Sequence, residues 1–182
     1  MRLARPLIIS LALLAPSLVA SAQSPTPRAG FYGSFGVAFG AVPSDSFSTQ
    51  SGAAYYLAGG WTLDQRFRLG LEAQAWSRTQ GGGTVNLDFL LASLSWYPSD
   101  ASDFWVKANV GGTNYKVHLL GEPTTTSSGG VAVGLGVGYD WHPVSGTFVF
   151  IPYVAYTAQV SSSSGEPRGK LFQIGLGFGY KH

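Results

Sequence analysis

The chain has 182 residues, of which 45% are hydrophobic and 11% charged, with 25 glycines and no cysteine. Without cysteine it forms neither a disulfide nor a thiolate metal site. Two of its 11 Lys and Arg residues, Arg2 and Arg5, lie at the N-terminus, and the other nine balance nine Asp and Glu. This balance gives no electrostatic case for a nucleic-acid partner.

Residues 1–22 have the three-part layout of a secretory signal peptide. Arg2 and Arg5 precede an apolar run over 7–14, which is too short to span a bilayer, and Ala20-Ser21-Ala22 offers small residues for cleavage. A membrane anchor is the less favoured interpretation. We therefore expect a cleaved signal peptide and one exported domain over residues 23–182.

Residues 130–141 carry the clearest structural pattern in the chain. Large apolar residues from Val131 to Trp141 alternate with Ala, Gly and Asp. This period of two indicates a β-strand with two different faces. Glycine on one face is typical of the inside of a narrow closed barrel whose large residues face lipid. The strand therefore predicts a transmembrane β-barrel.

Eight such segments follow one another after the signal peptide. The strands are predicted near 30–40, 53–62, 67–77, 84–97, 104–117, 130–141, 147–158 and 170–181. Short connections at 63–66, 98–103 and 142–146 alternate with long Ser-, Thr- and Gly-rich ones at 41–52, 118–129 and 159–169; the 78–83 connection fits this rhythm least. Short periplasmic turns and longer external loops are typical of outer-membrane barrels. We predict an all-β fold, an eight-stranded antiparallel up-and-down transmembrane β-barrel.

Aromatic residues bracket each short connection. Trp and Tyr prefer the lipid–water boundary, so these rings predict a girdle on the periplasmic side. The predicted girdle comprises Trp61, Phe67, Tyr97, Phe104, Trp141 and Phe148.

Several polar residues fall on the predicted inner faces of the strands. Because a buried ion must be paired, we expect Glu72 to pair with Arg68 or Lys107, and Asp140 to lie nearer the periplasmic end. A structural plug of ion pairs is favoured over a proton or ion path. The predicted interior network comprises Arg68, Glu72, Gln74, Lys107, Asn109 and Asp140.

Two strands deviate from simple alternation. The pattern slips at residues 89–91, which suggests a β-bulge. The 147–158 segment is apolar on both faces and contains Pro152, so its orientation is left open.

Three segments resemble small bacterial outer-membrane β-barrel proteins of the OmpA/OmpX type. They are the 130–141 strand, the Phe-Ile-Pro-Tyr-Val run at 150–154 and the closing run at 173–180. The resemblance implies an integral outer-membrane protein whose partners include outer-membrane lipid. It also implies recognition by the barrel-insertion machinery through a terminal aromatic residue, which here is Tyr180, two positions before the end.

No catalytic, cofactor-binding or metal-binding residues are predicted. The three histidines, His118, His142 and His182, are scattered and have no metal-ligand spacing. We expect a structural or loop-mediated interaction role, without a wide pore, with another protein as a candidate partner of the external loops.

Two alternatives stay open at this point. One is a soluble or membrane barrel that binds a small hydrophobic ligand in its mouth, with Tyr32, Tyr56 and Trp76 as candidate lining residues. The less favoured one is a lipid-modifying outer-membrane enzyme that uses His118.

Overall fold

The protein is a closed barrel of eight antiparallel strands in a computed structural model that describes residues 28–43, 49–80, 82–119, 125–143, 148–161 and 169–181. The predicted signal peptide, 1–22, lies outside the described residues. The strands are β1 (Gly30–Val42), β2 (Gln50–Thr62), β3 (Phe67–Gln80), β4 (Gly83–Trp96), β5 (Phe104–Leu119), β6 (Thr125–Tyr139), β7 (Phe148–Gln159) and β8 (Lys170–Lys181). The predicted strand number and up-and-down order are confirmed.

The barrel closes because β8 pairs with β1. Their antiparallel register runs from Tyr32↔Lys181 to Ala41↔Phe172, so each strand has a hydrogen-bonded neighbour on both sides. Among the described residues, no helix is long and apolar enough to cross a membrane.

The barrel has two distinguishable ends. The turn end carries the described segments 63–66, 97–103 and 140–143, together with the start of β1 and the end of β8. The loop end is the opposite one, where β1, β3, β5 and β7 end and β2, β4, β6 and β8 begin.

The predicted rhythm of short and long connections is wrong in detail. The predicted 118–129 loop belongs largely to β5 and β6, which pair as far as His118↔Thr125. Threonine favours strands, so a Ser- and Thr-rich segment can pair although its composition resembles a loop. The predicted loop is therefore largely a longer β-hairpin.

Side chains alternate between a mixed interior and an apolar outer surface. On β4, Leu87, Phe89 and Leu91 all point inward in an unbroken ladder, so the bulge predicted at 89–91 is wrong. The structure also settles the orientation of β7, with Val149 and Ile151 inward. The outer surface includes Phe31, Phe35, Val37, Phe39, Tyr55, Leu57, Leu71, Leu90, Val110, Val133, Leu135, Phe172, Ile174 and Leu176.

Two apolar clusters fill much of the interior. The loop-side cluster consists of Ala54, Trp76, Leu87, Phe89, Leu91, Ala132 and Leu171. The turn-side cluster consists of Tyr56, Tyr97, Trp105, Val149, Ile151, Tyr153 and Ala155. Polar side chains lie between and around them.

Large interior side chains lie over glycines of other strands. A Cβ atom on Gly138 would meet the Trp105 ring, and one on Gly36 or Gly177 would meet Tyr56. Glycine is needed at these inward positions because an eight-stranded barrel is only just wide enough for its own side chains.

Replacing Gly138 by alanine should therefore destabilise the barrel. The added methyl group would overlap the rigid Trp105 ring, and overpacking of this kind costs about 1–3 kcal/mol. The free energy of unfolding in urea, measured on protein folded into lipid vesicles, checks this.

Gly112→Ala is the matched control. A Cβ atom at Gly112 has no heavy atom within 4 Å, so this variant should lose no stability, because alanine also restricts the unfolded chain. Equal losses in the two variants would contradict the packing role of the inner glycines.

Candidate functional site: the polar interior at the turn end

A buried carboxylate organises the interior near the turn end. Asp140 directly follows β6 and is 1% exposed. Its Oδ2 atom accepts hydrogen bonds from Nη1 of Arg68 at 3.0 Å and from the Tyr97 hydroxyl at 2.9 Å. Its Oδ1 atom accepts one from Nε1 of Trp105 at 3.1 Å. The donors belong to β3, to β5 and to the residue that follows β4, and together they compensate the buried charge of Asp140.

A second ion pair joins β3 and β5. Nζ of Lys107 donates to Oε2 of Glu72, while Nε2 of Gln74 donates to Oε1 of the same carboxylate at 2.6 Å. Glu72 therefore pairs with Lys107 and not with Arg68. Asn109 is also buried, and its Oδ1 atom has no hydrogen-bond partner among the described atoms.

Arg28, which the sequence analysis did not single out, lies across the turn end. It is buried, and its guanidinium donates to the backbone carbonyls of Gln65, Asp100 and Ser102. The guanidinium carbon lies 4.1 Å from the centre of the Tyr97 ring, a cation–π distance. A lone basic residue ahead of the first strand was its only sequence signal.

Four of the six predicted girdle residues are exposed on the outer surface at the turn end. These four are Trp61, Phe104, Trp141 and Phe148. Phe67 is half-buried. Whether this ring of side chains marks a lipid–water boundary stays a prediction.

The predicted position of Tyr97 in the girdle is wrong. It is 1% exposed and inside the barrel, because it continues the inward alternation of Ser93 and Ser95 beyond the end of β4. The outward position at this place belongs to its neighbour Trp96.

On the surface of the turn end, Nε of Arg66 donates to Oδ1 of Asp100 at 2.7 Å. The hydrogen bond and charge of Asp100 raise the pKa of Arg66. Both side chains are more than half exposed, so this pair contributes little stability.

A cavity of about 50 Å³ lies inside the barrel beside both buried ion pairs. This volume holds a few water molecules. Its lining includes Tyr32, Tyr56, Arg68, Lys107 and Tyr153. Within the described part of the chain, no group of three or more His, Asp or Glu residues could hold a metal ion.

No protein-family model matches the chain, and no curated protein sequence matches it. Several solved structures do. Neisserial surface protein A (NspA) is similar with a TM-score of 0.67 at 13% identity, over 85% of this chain and 99% of that one. Ail, the attachment invasion locus protein of Yersinia pestis, gives 0.61 at 14%, over 84% and 99%. The N-terminal barrel domain of Pseudomonas aeruginosa OprF gives 0.52 at 14%, over 86% and 100%.

The chain therefore has the fold of small eight-stranded outer-membrane barrels. The resemblance predicted from the sequence is confirmed for the fold.

Replacing Asp140 by asparagine should strongly destabilise the barrel. Asparagine cannot balance the Arg68 charge, and an uncompensated buried charge costs about 3–5 kcal/mol. Unfolding in urea from lipid vesicles measures the change.

Asp100→Asn is the matched control, because it weakens an exposed pair worth about 0–1 kcal/mol. Similar small losses of stability in both variants would show that the buried Asp140–Arg68 pair contributes no more than the exposed Asp100–Arg66 pair.

Proposed function

We propose that this chain is an integral outer-membrane protein whose barrel anchors an interaction surface at its loop end, without forming a wide pore. The apolar outer surface supports the membrane location. Leu57, Leu135 and Ile174 are each more than half exposed. An apolar surface of this kind would be an aggregation hazard in water. Lipid removes this hazard, and a closed barrel leaves no unpaired strand edge within it.

The filled interior supports the absence of a wide pore. In the loop-side cluster, Trp76, Leu87, Leu91 and Leu171 are almost completely buried against one another inside the barrel. Eight strands enclose space that side chains can fill, whereas wide channels need many more strands. The barrel is thus better suited to anchoring than to diffusion.

The hairpin of β5 and β6 supports an interaction role for the loop end, and it is the observation that carries this part of the proposal. The two strands have 16 and 15 residues, while a strand of about 9–11 residues is enough to cross a bilayer. Among the described residues, the β6–β7 ladder ends at Ala132↔Gln159, whereas β5 and β6 stay paired to His118↔Thr125. This hairpin therefore extends past the neighbouring β6–β7 ladder.

The alternative of a hydrophobic ligand in the mouth receives less support. Trp76 is packed within the loop-side cluster, and the cavity lined by Tyr32 and Tyr56 also carries both buried ion pairs. We also propose no catalytic step, since His118 lies exposed on the outer part of β5 and not in the cavity.

Single cysteines test which end faces outward, because the chain has none of its own. Ser127→Cys lies on the exposed part of β6 at the loop end, and Ser99→Cys is exposed at the turn end. A maleimide that cannot cross membranes should label Ser127→Cys on intact cells. Ser99→Cys should be labelled only after the outer membrane is permeabilised. The reverse pattern would contradict the proposed orientation.

Release of small sugars from liposomes tests the absence of a wide pore. Liposomes that contain the wild-type barrel should retain their sugars as well as protein-free liposomes do, because the loop-side cluster fills the interior. The Leu90→Ala variant, altered on the outer surface, should retain them equally. Rapid release by the wild-type protein would overturn this part of the proposal.

A further inference from the structure

Arg68 has one edge of its guanidinium group unused. Its Nη1 atom contacts Tyr97 and Asp140. Its Nε and Nη2 atoms are buried and have no hydrogen-bond partner within the described structure. These two atoms form the side edge of the group, whose parallel N–H donors match the two oxygens of a carboxylate. A buried charged donor without a partner is costly, so this edge calls for an acceptor.

The cavity supplies the space for such an acceptor. Arg68 lines it, and so does Tyr153, whose buried hydroxyl also has no partner among the described atoms. About 50 Å³ is enough for a few water-sized groups, which limits an occupant to a few heavy atoms. Aromatic side chains of Tyr32 and Tyr56 complete part of the wall.

The charges around the cavity are compatible with an anion. Two carboxylates, Glu72 and Asp140, also line it and oppose a negative guest. However, Asp140 already accepts hydrogen bonds from three donors, and both oxygens of Glu72 are engaged by Lys107 and Gln74. Their charges are therefore largely compensated, while the side edge of Arg68 is not.

We propose that this cavity is a binding site for a small carboxylate anion. The carboxylate accepts two parallel hydrogen bonds from Nε and Nη2 of Arg68, and the Tyr153 hydroxyl supplies a third donor from another wall. The size of the cavity favours a monocarboxylate of the size of formate or acetate. The site is separate from the loop end and does not depend on what the loop end contacts.

Nuclear magnetic resonance of the full barrel in detergent micelles tests this proposal. The Nε–H signal of Arg68, assigned by its loss in Arg68→Lys, is followed while sodium acetate replaces sodium chloride at constant ionic strength. We expect a saturable shift of this signal. A strictly linear response, or none, would overturn the proposal, because occupancy of one discrete site saturates and a purely ionic effect does not.

Two tyrosine variants on β7 make the test specific. Tyr153→Phe removes the proposed third donor and should weaken acetate binding about tenfold, the weight of a hydrogen bond to a charged group. Tyr156→Phe is the control, because Tyr156 points outward on the same strand, and it should bind acetate like the wild type. Equal affinities in all three proteins would refute the assigned geometry.

The indole N–H signal of Trp105 provides an independent check on Arg68→Lys. Trp105 lines the same cavity and contacts Asp140, so its signal reports both folding and occupancy. In a folded Arg68→Lys barrel the acetate response of this signal should be lost, since lysine has no two-donor edge. A retained saturable response would overturn the role of Arg68. If this variant does not fold, the acetate response of the Trp105 signal in the Tyr153→Phe and Tyr156→Phe variants decides the question.

Discussion

The structure depends on the closure of eight strands into one narrow barrel. Pairing between β1 and β8 gives each strand two neighbours, which is the condition for a β-structure to reside in lipid. The same closure fixes the width of the interior. Because eight strands leave just enough room for side chains, large inward residues need space over the neighbouring strand, as Trp105 of β5 has over Gly138 of β6.

The narrow interior also explains its chemistry. A charge placed there loses water and must be compensated by protein groups. The two carboxylates are held in this way, Asp140 by Arg68 and its neighbours and Glu72 by Lys107 and Gln74. The side edge of Arg68 is the exception, and it borders a cavity. This uncompensated edge is the basis of the proposed carboxylate site.

Strand alternation made the fold and the inward set of residues predictable from the sequence, because a period of two assigns faces without knowledge of the partners. The ion-pair partners were less predictable, because the pairing of Glu72 with Lys107 depends on the register between strands. The rings beside the short turns predict an outward Tyr97, whereas the structure shows that Tyr97 shares the inward parity of Ser95. Arg28 lies before any strand, so no periodic pattern pointed to its contacts across the turn end.

Gel mobility of the detergent-extracted protein, with and without boiling, tests the central claim most directly. A closed barrel with a fully paired backbone should stay folded in cold detergent and run at a different position from the boiled, unfolded chain. This shift is expected for protein recovered from the outer-membrane fraction. Identical mobility in both lanes, with the protein recovered from the soluble periplasm, would contradict a membrane-embedded barrel.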